Sequence, residues 1–385
     1  MTTAPRRFIP TASKQNPMLT SRNKMKLGLF GMNADGGCAI TTAPERHMGD
    51  DWVGMMEFCK TADRAGFESL IPVGRWRGFG GDSNFNGVAF ETYTWAAGLA
   101  AVTDQIAIVT TSHVPTVHPL FAAKQAATID HISGGRFGLN IICGWFGPEM
   151  KMFGGTMMEH ETRYNYADQW IEIVQRAWND PGYFDYKTEY FNLTQAFSEP
   201  KPLNRPVLIN AGGSPRGKRY CAEHCDVAFV ILNQSDPDTT RKQIQSYRDI
   251  AAEYGKEIQI WCYSYCVQRD SLAEAHKYLD YYVNQHGDDV ACNNITDQIG
   301  IQTGIFTAEE AERFRFHFKA GWAGVPLVGT AEMIVDQFQN YSDLGVDGIC
   351  LSWLDYQSGI DDFIAGVLPL MEQAGLREKY IPRIG

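Results

Sequence analysis

Four apolar runs of this chain end on polar or glycine-rich residues, at positions 106–113, 136–145, 206–214 and 348–355. A parallel strand buried on both faces reads as a continuous apolar run, and a (β/α)8 barrel builds its functional face from the residues and loops at the C-terminal ends of its strands. Four further runs, at 26–32, 69–73, 227–232 and 258–267, bring the strands to eight. Amphipathic stretches alternate with them, at 51–65, 90–102, 121–132, 161–178, 241–254, 272–285, 331–344 and 361–374, with Gly66 and Gly345 as helix stops. Eight strands alternating with helices predict an α/β fold, a (β/α)8 barrel.

The chain has 385 residues, against roughly 250 for a plain barrel, so insertions are required. The expected organisation is a flexible N-terminal arm over 1–24 and one barrel domain over 25–385, with insertions near 179–204 and 287–328. The first insertion carries an aromatic and polar run at 183–190 that can pair as a hairpin. The second, containing Asn293, Asn294 and several glycines, is long enough to be a lid or an interface element. The arm holds Arg6, Arg7, Lys14, Arg22 and Lys24 with no acid and no apolar stretch of a secretory signal, which leaves a transit peptide or a subunit-clasping arm.

A net charge of −11 with scattered Lys and Arg argues against a nucleic-acid footprint and for small-molecule chemistry. Nine Cys, an odd number in mostly apolar surroundings, read as reduced core thiols of a cytoplasmic protein. No apolar run reaches the length of about 18 residues that a membrane span needs, so no membrane association is expected. Cys221 and Cys225 flank His224, and Cys262 and Cys266 lie four apart on a strand, but neither pair has a second ligand cluster, and no metal is expected.

Several stretches carry candidate chemistry. The run 136–145 places Asn140, Ile142 and Gly144 on one strand face, and an inward amide must find partners, either in a neighbouring strand or in a bound heteroaromatic ring. Thr111 ends the third strand, followed by Ser112 and His113. Asn210-Ala211-Gly212-Gly213-Ser214 joins a strand to a helix, which is the geometry of an ordinary turn and equally of an anion cradle. After the second strand, Arg75-Trp76-Arg77-Gly78-Phe79-Gly80-Gly81 combines cations, rings and glycines in a loop that either closes over a ring or is a surface turn. Arg163 and Tyr164 open the fourth helix.

Together these stretches resemble the bacterial-luciferase-like flavin monooxygenases, in the branch of the pyrimidine (uracil) ring-opening and dimethylsulfone monooxygenases. The resemblance runs from Lys26 to about Leu376, carried by residues 77–81, 99–103, 127–130, Ser133-Gly134-Gly135-Arg136-Phe137-Gly138-Leu139-Asn140, Gly144-Trp145, 327–330 and 358–360. It implies a two-component enzyme that uses reduced FMN, supplied by a separate NAD(P)H-dependent flavin reductase, and O2. Its flavin contacts would be Gly74, Arg75, Asn140, Glu149, Arg163, Tyr164, Gly213 and Ser214. Thr111 and Asn140 match residues that hold oxygen, Ile71 and Trp145 would wall that pocket, and Thr111, His113 and Asn140 are the polar catalytic candidates. The implied reaction is oxygenation of a small N-heterocycle or amide-like ring, with C–N cleavage by way of a flavin peroxide. Family members are commonly homodimers or homotetramers.

Departures from the pyrimidine pattern bear on the substrate. Cys143 and Phe146 flank Gly144-Trp145 where that pattern has Thr and Gln, and Arg75 replaces a Lys. Cys and Phe favour a less polar or aromatic substrate. The competing readings are an organosulfur (sulfone) monooxygenase, a deazaflavin-dependent oxidoreductase on the same barrel, and a non-catalytic flavin-binding protein.

Overall fold

A computed structural model describes residues 16–299 and 308–381. Each of the eight expected runs forms a strand: β1 (Lys26–Phe30), β2 (Ser69–Ile71), β3 (Ala107–His113), β4 (Phe137–Ile142), and, after a hairpin of β5 (Phe184–Lys187) and β6 (Asn192–Ala196), β7 (Val207–Asn210), β8 (Val227–Phe229), β9 (Gln259–Gln268) and, beyond a further strand β10 (Val325–Gly329), β11 (Gly348–Leu351). The order β1-β2-β3-β4-β7-β8-β9-β11 closes back on β1 with every pairing parallel. The chain is therefore a (β/α)8 barrel.

Strand periodicity sorts the side chains. Phe30, Ile71, Val109, Ile209, Phe229, Trp261 and Tyr263 meet inside the barrel, whereas Leu29, Ile108, Leu139 and Leu208 pack outward under the helices. Thr111 and His113 follow Val109 at steps of two, so β3 delivers both to the interior at its C-terminal end, and β4 does the same with Asn140 and Ile142 after Gly138. Helix ends carry the expected chemistry. Asp51, Ser214, Thr330 and Asp355 cap helix N-termini with side-chain oxygens, while Gly134 and Gly345 close helices at φ of 68° and 101°.

The structure differs from the sequence reading in three places. The second insertion is not a loop: it holds the helices Asp289–Ile299 and Ala308–Gly321 and then β10, which pairs with the far half of β9 (Val325 opposite Ser264) while β11 takes the near half (Gly348 opposite Trp261). The helix Pro215–His224, short and cationic, lies outside the eight expected amphipathic stretches. Residues 1–15 of the expected arm lie outside the described residues, but 16–24 are tied to the barrel through Asn16, Met18, Ser21 and Asn23. Asn16 Nδ2 donates to the carbonyls of Arg136 and Phe137, each at 3.1 Å, and caps the helix Pro17–Thr20, whose Met18 enters the interior cluster. The first insertion does form a hairpin, β5 with β6. No helix among the described residues is long and apolar enough to cross a membrane.

Met18 thus belongs to the core at the N-terminal mouth of the barrel. Met18→Ala is expected to cost about 2 kcal/mol through the cavity it leaves. The check is a lowered midpoint in urea unfolding at unchanged slope, and an unchanged midpoint would show that this segment is not part of the cooperative core.

Candidate functional site

A cavity of about 360 Å³ opens at the C-terminal ends of the strands. Three walls form it: a polar floor from β3 and β4, a cationic and aromatic side from the loops after β2 and β4, and a glycine turn after β7.

On the floor, Thr111 Oγ1 donates to the Pro72 carbonyl at 2.6 Å and accepts from Asn140 Nδ2 at 3.1 Å. The Thr111 hydroxyl hydrogen is thereby engaged. Asn140 is buried, and its Oδ1 has no hydrogen-bond partner. A buried amide oxygen left so is costly unless a bound group supplies a donor. Of the two sequence readings for Asn140, interstrand tie and ring partner, the tie engages only the nitrogen. His113 stands beside this pair, also buried, with Nδ1 3.5 Å from Glu149 Oε2. Burial pulls its pKa down to about 4, with Glu149 opposing and Arg75 reinforcing, so the ring is neutral at physiological pH.

The loop after β2 exposes Trp76 and Arg77 but buries Arg75 and Phe79, and it is not free to swing. Glu149, fully buried on the short helix Gly147–Met152, accepts at Oε1 from Arg75 Nη1 (3.2 Å) and from the backbone N–H groups of Trp76 (2.7 Å) and Arg77 (3.2 Å). The Arg75 guanidinium lies 4.6 Å from the centroid of Phe79 and 5.2 and 5.4 Å from Trp145 and Phe146. Burial lowers the Arg75 pKa and Glu149 offsets it. Net charge at this wall is consequently small, and the rings shield it from water.

The turn after β7 is braced from three sides. Asn210 Oδ1 accepts from Gly212 N (2.8 Å), Tyr247 Oη donates to the Gly212 carbonyl (2.9 Å), and Ser214 Oγ caps the following helix by accepting from Gly217 N (3.0 Å). A Cβ at Gly213 would meet nothing within 4 Å, so this face of the turn is open. Around it stand His160, whose Nε2 is 3.0 Å from Ser214 Oγ, Tyr164, and Arg163, which donates from Nη1 to the Gly144 carbonyl and keeps an unpartnered Nε. Burial raises the Tyr164 pKa to about 12, so it stays a neutral hydroxyl. A helix start with the Arg163 guanidinium beside it has the chemistry that an anion cradle requires.

Of the residues picked out in the sequence, Gly74, Arg75, Thr111, His113, Asn140, Cys143, Trp145, Arg163, Tyr164, Gly213 and Ser214 line this one cavity. Ile71, Phe146 and Glu149 do not. Ile71 is inside the barrel, Phe146 packs against Phe79, and Glu149 sits behind Arg75 as the anchor of the loop. Burial raises the thiol of Cys143 to about 12, which leaves it a small neutral wall residue. Sequence reasoning missed Phe30, Phe229 and Tyr263, which continue the interior strand pattern up to the mouth, and Trp322 and His160, brought in from the second insertion and the fourth helix. Trp322, at φ 54°, accepts from Tyr263 Oη at 2.9 Å through its carbonyl. Among the described residues no group of three or more His, Cys, Asp or Glu is placed to hold a metal.

Gly217 approaches the cradle so closely that a Cβ there would lie 2.5 Å from Tyr164 Oη and 2.9 Å from Gly212 Cα. If the turn holds the phosphate of the FMN that the sequence resemblance implies, Gly217→Ala displaces it and weakens FMN binding about tenfold, read by fluorescence titration against riboflavin, which lacks the phosphate. An equal loss for both ligands would place the phosphate elsewhere.

The sequence profile described as luciferase-like monooxygenase matches residues 25–348. A protein named pyrimidine monooxygenase RutA from Acinetobacter baylyi is 28% identical over 352 residues, covering 90% of this chain and 95% of that one. Among solved structures, the long-chain alkane monooxygenase LadA superposes with a TM-score of 0.82 at 19% identity over 93% of each chain. A riboflavin lyase, RcaE, determined with modified FMN and riboflavin, does so at 0.81 and 21% identity, covering 92% of this chain and 93% of that one. These structural likenesses establish the fold.

Proposed function

Because the chain belongs to the luciferase-like monooxygenase family, we propose that it is a flavin-dependent monooxygenase that uses reduced FMN and O2 to oxygenate a small N-heterocycle or amide-like ring with C–N cleavage. One observation carries this reading. A single cavity joins an amide whose oxygen lacks a partner, on Asn140, to an open helix-start turn at Gly212, Gly213 and Ser214. A ring that offers an N–H at one end and an anionic tail at the other suits both. The relatives named pyrimidine monooxygenase favour the C–N reaction.

In this assignment Gly213 and Ser214 hold the phosphate, with Arg163 supplying counter-charge and His160 and Tyr164 flanking. Asn140 addresses the isoalloxazine ring, oriented by its bond to Thr111. Reduced FMN supplies the electrons that activate dioxygen. What the chain must add is a dry, shaped chamber: Phe30, Trp145, Phe229, Tyr263 and Trp322 provide apolar walls, and Glu149 immobilises Arg75 so that the cation neither admits water nor swings into the cavity.

The flavin comes reduced from a separate NAD(P)H-dependent reductase, as in the two-component relatives the sequence resembles. All nine thiols are free, which supports a reducing, cytoplasmic setting. Assembly into a homodimer or homotetramer is what the family resemblance implies.

The test is oxygen uptake and product mass for the full chain with FMN, a generic flavin reductase and NADH, across uracil, other N-heterocycles, halogenated aromatics and dimethylsulfone. Incorporation of one atom from ¹⁸O2 into an opened N-heterocycle is expected. Turnover of the sulfone alone would move the assignment to organosulfur chemistry, and tight binding of a deazaflavin with none of FMN would replace oxygenation by hydride transfer.

A further inference from the structure

The floor residues differ in what they have left to offer. Thr111 has given its only hydroxyl hydrogen to Pro72. Asn140 has used one amide hydrogen on Thr111 and keeps Oδ1 free. Of the two charged groups that act on His113, Arg75 and Glu149, the carboxylate stands nearest its Nδ1, and the way that carboxylate is bonded favours one tautomer of the imidazole. Oε1 receives three donors, from Arg75, Trp76 and Arg77, whereas Oε2 is buried with no hydrogen bond and has His113 Nδ1 at 3.5 Å. A neutral imidazole carries one proton. Placed on Nδ1, it faces the otherwise bare carboxylate oxygen. Placed on Nε2, it would turn a lone pair toward that oxygen and leave both unsatisfied in a dry wall.

Nε2 then carries the lone pair. It lies at the cavity side of the ring, where Gly74 has no side chain to cover it: a Cβ at Gly74 would come within 3.3 Å of Nε2 and 3.2 Å of Thr111 Cγ2. We propose that His113, oriented by Glu149, is a specificity-determining hydrogen-bond acceptor that selects neutral planar substrates bearing a ring N–H, of the aromatic lactam class. This deepens the function proposed above and rests on it. The charge at the wall agrees: Arg75, though its Nε is unpartnered, is neutralised by Glu149, so an anionic substrate meets no uncompensated cation there, while Trp145 offers a ring face to a flat neutral molecule. An acceptor at this position also disfavours a sulfone, which has no N–H to donate.

Two measurements on the full chain test it. In protein labelled with ¹⁵N-histidine, long-range ¹H–¹⁵N correlation should show His113 protonated on Nδ1 and bare on Nε2, the signal being assigned by its loss in His113→Gln or, if that variant does not fold, His113→Asn. Protonation on Nε2 would overturn the inference and leave the flavin reading untouched. In FMN-loaded wild type, 2-pyridone should bind at least about tenfold more tightly than 1-methyl-2-pyridone, and in FMN-loaded His113→Gln or His113→Asn that ratio should narrow. Equal binding of the pair, or binding of neither, would overturn the lactam assignment. Failure to bind FMN at all would instead sink the function proposed above, and the tautomer would still be readable.

Discussion

Asn140→Ala is expected to reduce oxygen-dependent, FMN-dependent turnover about 100-fold, the scale on which removal of one preorganised polar group in a closed site acts. The substitution takes away the amide oxygen that faces no partner in the protein and the amide nitrogen that donates to Thr111. Stability should change far less, by about 1 kcal/mol, because only one protein hydrogen bond is lost and the costly unpaired oxygen goes with it. Oxygen-electrode rates at saturating reduced FMN, beside a urea midpoint, separate the two effects. Asn140→Asp distinguishes them further: it preserves the shape but replaces the donor to Thr111 with a second acceptor, so turnover should fall with shape intact. Unchanged rates in both variants would remove Asn140 from the site.

Glu149→Ala is expected to destabilise the protein by about 3–5 kcal/mol, since it strands the buried Arg75 guanidinium without its counter-ion and leaves the Trp76 and Arg77 amides without an acceptor. The loss is read as a shift of the urea midpoint at unchanged slope. Activity should fall with it, because Glu149 holds the Arg75, Trp76 and Arg77 part of the loop that forms the cavity rim. Glu149→Gln should be milder, keeping an acceptor for the two backbone amides while losing the charge. If Glu149→Ala unfolded no more easily than wild type, the resemblance-based role of Glu149 as a flavin contact would regain force over its role as an anchor.

The barrel was legible because burial on both faces writes long apolar runs, and all eight were visible; among the helices that alternate with them, Pro215–His224, short and cationic, escaped. β10 was not: Val325-Pro326-Leu327-Val328-Gly329 is short, contains a proline and pairs at the barrel's margin through the far half of β9. In the second insertion Asn293 and Asn294 disguise the helix Asp289–Ile299 as loop, whereas Ala308–Gly321 was missed without such a cause in its composition. In the site, the strand-end residues Thr111, His113 and Asn140 could be found because strand ends are where a barrel exposes polar groups. Phe30, Phe229 and Tyr263 could not, since an aromatic residue on an inward strand position reads the same whether it fills the core or lines its mouth. Glu149 illustrates the opposite failure. Its place in a motif was recognisable, but whether a carboxylate faces the cavity or stands behind an arginine is decided by the short helix Gly147–Met152 and its packing, which no local pattern encodes.

The most direct measurement is a crystal structure of the full chain soaked with FMN. The account predicts the phosphate against the Gly213 and Ser214 backbone beside Arg163, with the isoalloxazine over the β3 and β4 strand ends and a ring N–H within hydrogen-bond distance of Asn140 Oδ1. Flavin density elsewhere on the barrel, or a cavity that stays free of flavin in a saturating soak, would contradict it.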